Sequence, residues 1–194
     1  MRDGHAVQLT IAALIAACLA ATSWLVALLP SVPLTLQTFF VVLAALLLRP
    51  RWAGASMLVY LALGCAGLPV FAGGRGGIAV LVGPTGGYLI AFVLAASLGA
   101  FIAGAAGRGA GDARSNDAGK PGRRFWLRGA LVAGATIILI DTLGSLWLSY
   151  SAHLPLAAAL LAGAVPFLVG DVLKATAALF VAHFLRKTRS TFSA

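Results

Sequence analysis

Val165-Pro166-Phe167-Leu168-Val169-Gly170-Asp171-Val172-Leu173-Lys174 opens an apolar run that ends only at Arg186. Two opposite charges, Asp171 and Lys174, sit inside it. Three residues apart, they share one face of a helix. If that helix crosses a membrane, each charge costs about 2.5–3.5 kcal/mol near the bilayer centre. Charges kept at that cost face the protein interior, find a partner and mark a functional site. The plainer reading is an ion pair within one helix that serves packing alone.

Composition turns that conditional into an expectation. The chain is 61% hydrophobic and 10% charged, with a mean hydropathy of +1.00; a soluble domain carries about 25% charged residues. Its 194 residues hold six spans of about 20 residues with short connections. The fold class expected is therefore all-α: a six-helix transmembrane bundle forming one integral membrane domain. The net charge of +9 would suggest nucleic acid in a soluble protein. In a membrane protein it reflects positive residues collecting on the cytoplasmic side, so no nucleic-acid partner is expected. Cys18 and Cys65 fall in apolar runs, His5 and His183 lie near the ends and His153 in a loop, so neither a metal nor a cofactor is expected. The chain has no glutamate, no Gly-x-Ser-x-Gly, no His-Glu-x-x-His and no phosphate-cradling Gly-x4-Gly-Lys-Ser/Thr. It reads as a non-enzyme that does not hydrolyse ATP itself.

In chain order, the spans are expected at 7–29, 34–48, 52–67, 85–106, 125–147 and 166–185. The first carries interleaved small residues: Ala12, Ala16 and Ala20 recur every four residues, as do Ala13, Ala17 and Ala21. Such a face lets another helix approach closely, either a neighbour in the same bundle or a partner membrane protein. Ile15-Ala16-Ala17-Cys18 resembles a lipoprotein cleavage box, but the apolar run continues past it. Gln37 and Thr38 open the second span with polar groups that line a cavity or bond across helices. The loop 68–84 is rich in glycine yet keeps Leu68, Val70 and Phe71, with Arg75 among its glycines. That composition suits a lid over an apolar pocket. Pro84 is placed to begin a helix, with Thr85 and Tyr88 near its first turn, where free amides favour anionic or carbonyl groups. Asp141, inside the fifth span, admits three roles: ligand contact, proton site, or packing group.

Twelve of the fourteen Lys and Arg residues fall in the N-terminus, Arg49-Pro50-Arg51, the loop 107–124 with Arg128 just beyond it, and the C-terminus. That asymmetry predicts both termini in the cytoplasm. It puts the 68–84 lid and the Asp171/Lys174 pair on the outer side, with Asp171 about 7–8 Å deep at about 1.5 Å rise per residue. An outward cavity with few polar groups suits a small, mostly apolar ligand.

Four motifs carry a family resemblance: Val32-Pro33-Leu34-Thr35-Leu36-Gln37-Thr38, Gly67-Leu68-Pro69-Val70-Phe71-Ala72-Gly73-Gly74, Gly83-Pro84-Thr85-Gly86-Gly87-Tyr88-Leu89 and Phe167-Leu168-Val169-Gly170-Asp171-Val172-Leu173-Lys174. Together they resemble the BioY family, the biotin-specific substrate-binding subunits (S components) of energy-coupling factor (ECF) transporters. The resemblance implies a six-helix S-component fold in the bacterial cytoplasmic membrane and high-affinity binding of biotin, the transported ligand. It also implies docking of a transmembrane coupling subunit on the alanines of helix one (Ala12, Ala13, Ala16, Ala17, Ala20), and two ABC ATPase subunits to power uptake. Within it, Asp171 and Lys174 contribute to biotin binding. Arg75, which no family motif includes, is a candidate to hold the valerate carboxylate. The competing expectation is a stand-alone secondary transporter of biotin or a related vitamin, with Asp141 or Asp171 as proton site. The basic loop 107–124 carries no family motif.

Overall fold

The computed structural model describes residues 2–27, 34–105 and 123–192. Val32, Pro33 and residues 107–122 of the expected cytoplasmic loop lie outside them. The described residues form eight α-helices: α1 (Arg2–Ala21), α2 (Gln37–Leu47), α3 (Pro50–Cys65), α4 (Ala79–Val82), α5 (Gly86–Ala105), α6 (Arg123–Ser151), α7 (Leu156–Gly163) and α8 (Leu168–Phe192).

Local chemistry sets the ends. Arg49, in extended conformation, precedes α3, and Pro50 occupies its first turn, where the missing N–H costs nothing. α8 is preceded by a 3-10 turn, Val165–Phe167, so the helix starts two residues after Pro166. The first span departs from expectation. Its helix ends at Ala21, a 3-10 turn follows at Thr22–Trp24, and Val26–Ala27 pairs antiparallel with Leu34–Thr35 as a two-residue ribbon, β1 and β2. At the break, the Thr22 hydroxyl donates back to the carbonyls of Cys18 (2.7 Å) and Leu19 (3.3 Å). Apolar residues beyond it raise hydropathy without specifying helix.

Among the described residues, four segments are long and apolar enough to cross a membrane: His5–Trp24, Gly86–Ala105, Arg123–Ser151 and Leu156–Arg186. α2 has 11 residues and α3 has 16. At about 1.5 Å rise per residue they fall short of a hydrocarbon core about 30 Å thick. α5 is the central helix, packed on α6, α3 and α2. Small residues make this possible: a Cβ on Gly99 would overlap the Thr136 hydroxyl and crowd Ala45. α8 closes the bundle against α2 and α6. One buried cluster joins α1, α3 and α5 with Phe71 and Phe167; a second joins α2, α6 and α8.

The structure divides the alanine stripe of α1. Ala12 and Ala16 are buried within the bundle, Ala20 is half-buried, and Ala13 and Ala17 are exposed. Ala12 and Ala16 pack at home because the face they share with Ile15 and Leu19 turns inward. Ala12 and Ala16 therefore pack within the bundle, one of the two roles open to the stripe, which leaves Ala13 and Ala17 as its exposed part.

Candidate functional site

One cavity lies between α2, α5, α6 and α8, under the loop that follows α3. It encloses about 590 Å³ of empty space, its open mouth included. All seven residues singled out from sequence line it: Gln37, Phe71, Arg75, Thr85, Tyr88, Asp171 and Lys174.

The α8 face of the wall is ionic. Lys174 Nζ donates to Asp171 Oδ1 at 2.9 Å, with side chains 11% and 3% exposed. The helix register brings them together, and burial keeps the contact dry enough to matter. α6 adds Asp141, which is 8% exposed, and its neighbour Ile140.

The aromatic wall is built by close packing. The Tyr88 hydroxyl donates to the Gly163 carbonyl at 2.8 Å and lies 3.4 Å from Ser145 Oγ. Its ring lies where a Cβ on Gly144 would be, and its hydroxyl where a Cβ on Gly163 would be. Two glycines on different helices thus fix one tyrosine at the cavity wall. Phe92, Leu89 and Phe167 complete the apolar surface.

The lid is an ordered turn. Phe71 and Arg75 exchange backbone hydrogen bonds (2.8 and 3.2 Å) around Gly73 and Gly74, whose φ angles of 74° and 70° favour glycine. Gly74 also lies flat on the Trp24 ring, so closely that a Cβ there would overlap it. Gly73 N–H donates to Ser23 O (2.9 Å), Gly77 N–H to Gly64 O (2.7 Å) and Trp147 Nε1 to Gly83 O (2.9 Å). These bonds tie the loop to the end of α1, to α3 and to α6. Phe71 is fully buried: it sits over Gly64 and meets Tyr60 edge-on, centroids 5.6 Å apart. Tyr60 accepts a hydrogen bond from Gln37 Nε2, and Thr35 Oγ1 donates to Gln37 Oε1 at 3.1 Å. Gln37 therefore both lines the cavity and supports the aromatic pair beneath the lid. Arg75 curls over its own turn at the mouth, Nε donating to Ala72 O at 3.0 Å.

Sequence reasoning singled out the polar and loop residues and passed over Phe92, Val80 and Ile140; Leu89 and Phe167 stood in quoted motifs with no role given to them. Apolar residues inside apolar helices carry no local signal. Thr35 and Thr38 belong to a quoted motif and also line the cavity.

An apolar helical bundle around a lidded cavity, with an ion pair in one wall, defines a membrane protein that binds a small molecule. Comparison narrows the class. The BioY family model matches residues 1–191, and the chain belongs to the BioY family. A probable biotin transporter BioY from Pyrococcus horikoshii is 40% identical over 155 residues, 80% of this chain and 81% of that protein. The biotin transporter BioY of Thermotoga maritima is 37% identical over 180 residues, 93% and 96% of the two chains. Among solved structures, the S-component for biotin from an ECF-type ABC transporter superposes with a TM-score of 0.81 at 29% identity, covering 96% of this chain and 94% of that one. The family and the four apolar helices make this a multi-pass membrane protein.

Proposed function

We propose that this chain binds biotin in the cavity under the lid and serves as the substrate-specific subunit of an ECF-type transporter, not as an enzyme. The observation that carries the reading is the buried Asp171–Lys174 pair lining a mostly apolar cavity in a chain of the BioY family. Biotin has a fused ring system with two ureido N–H donors and a ureido carbonyl, and a valerate carboxylate at its other end. A carboxylate such as Asp171 accepts N–H donors, and an ammonium such as Lys174 donates to oxygen. Tyr88, Phe71 and Phe92 supply the apolar contact for the rings. Arg75 at the mouth holds the valerate carboxylate, and among the described residues no acceptor takes its Nη groups. Thr85 and Gln37 add polar contacts at the rim and floor.

The domain is a single membrane unit in the bacterial cytoplasmic membrane, with α1, α2, α3, α5, α6 and α8 as six spans and both termini cytoplasmic. The distribution of Lys and Arg supports that orientation. α2 and α3 cross as short helices in a locally thinned bilayer. The exposed Ala13 and Ala17 of α1 meet the transmembrane coupling subunit, and two ABC ATPases bound to that subunit supply the energy.

Proteoliposomes test the arrangement. Those holding this chain with its coupling subunit and ATPases take up biotin when ATP is present. Uptake by the chain alone that a protonophore abolishes would overturn the coupled mechanism in favour of proton-driven transport.

A further inference from the structure

Of the three roles open to Asp141 from sequence, the geometry favours one. A packing role requires a neighbouring donor, and three hydroxyls on or against α6 are committed elsewhere. Tyr88 Oη donates to Gly163 O, Ser145 Oγ lies against Tyr88 Oη, and Thr136 Oγ1 donates to Val132 O. Among the described residues the Asp141 carboxylate makes no hydrogen bond and no ion pair, although it is 8% exposed and lines the cavity. Among the described residues Lys174 pairs with Asp171 and not with Asp141. A carboxylate offers acceptor sites only, so its missing partner is a donor. The cavity also holds two cationic side chains, Arg75 and Lys174, against two carboxylates, Asp141 and Asp171. With the formal charges balanced, a neutral N–H donor fits better than a cation.

We propose that Asp141 is a ligand-binding residue whose carboxylate accepts a hydrogen bond from one ureido N–H of biotin, a second acceptor beside Asp171. This rests on biotin being the ligand. It assigns the two walls of the cavity different tasks: α8 supplies a paired acceptor and donor, and α6 supplies an unpaired acceptor that orients the ureido ring.

The test uses the full chain purified in detergent, with competition against radiolabelled biotin. The competitors are biotin and its two carbamate isosteres, each with one ureido N–H replaced by a ring oxygen. Asp141→Ala should weaken biotin at least tenfold and one of the two isosteres no more than twofold, because the donor that Asp141 receives is already gone from it. Asp141→Asn keeps the shape without the charge. It should show the same selectivity with a smaller loss, and it serves if the alanine variant fails to fold. Equal losses for all three ligands, or no loss for any, would overturn the assignment of Asp141. A wild-type chain that does not bind biotin at all would instead overturn the ligand on which it rests.

Discussion

Replacing the two charges of α8 one at a time and then together separates binding from stability. Lys174 Nζ and Asp171 Oδ1 are 2.9 Å apart. At an effective dielectric constant of about 20, their Coulomb attraction is about 5–6 kcal/mol, much of it offset by the desolvation of both groups. Lys174→Ala leaves a carboxylate whose side chain is 3% exposed without its cation, and truncating one partner of a buried pair costs about 3–5 kcal/mol. The single variant should therefore unfold at a clearly lower temperature in detergent. Asp171→Leu with Lys174→Met removes both charges and keeps similar volume, a change that is often neutral or stabilising by about 1–4 kcal/mol. The double variant should recover the wild-type unfolding temperature and still bind biotin at least a hundredfold more weakly, equivalent to about 2.8 kcal/mol. Thermal unfolding followed by intrinsic fluorescence reads the first quantity, and calorimetry the second. A double variant that binds biotin like the wild type would refute a binding role for the pair and return it to packing. A double variant less stable than Lys174→Ala would refute the burial argument.

Three further outcomes follow from local geometry. Gly74→Val places a β-branched residue at φ 70° and drives its side chain into Trp24; it should lift the lid turn and speed biotin dissociation, measured by stopped-flow. Tyr88→Phe removes the donor to Gly163 O and should lower stability by about 1–3 kcal/mol with a smaller effect on affinity, since the ring remains; a lost affinity with unchanged stability would make its hydroxyl a direct biotin contact. Ala17→Trp, on the exposed face of α1, should leave biotin binding intact and block co-purification with the coupling subunit. Ala16→Trp, in the buried face, should destabilise the chain itself, and a stable Ala16→Trp chain that fails only in assembly would reverse which face docks.

What was legible in the sequence was whatever interrupts apolarity. Asp171 and Lys174 stand out in an apolar run, and the glycines around Arg75 break the helical pattern, so the cavity's polar groups and lid could be named. The role of the apolar lining could not, because Phe92, and Phe167 even within its motif, look like any other membrane phenylalanine until the backbone brings them to the cavity. The two alanine stripes of α1 differ by about 100° of helix rotation, and both have the same composition. Only packing turned Ala16 inward and left Ala17 outside. The overlong first span has a similar cause, since hydropathy does not distinguish the helix of α1 from the ribbon at Val26–Ala27. Asp141 was visible as a charge, but its meaning depends on what its neighbours bond to, which is set by contacts far apart in sequence such as Tyr88 with Gly163.

The ligand itself gives the most direct test. The full chain purified in detergent from cells grown with biotin should release biotin on denaturation, identified by mass spectrometry at up to one molecule per chain. The same preparation of Lys174→Ala should release little or none. Another small molecule released in its place, or biotin retained equally by both chains, would contradict the account.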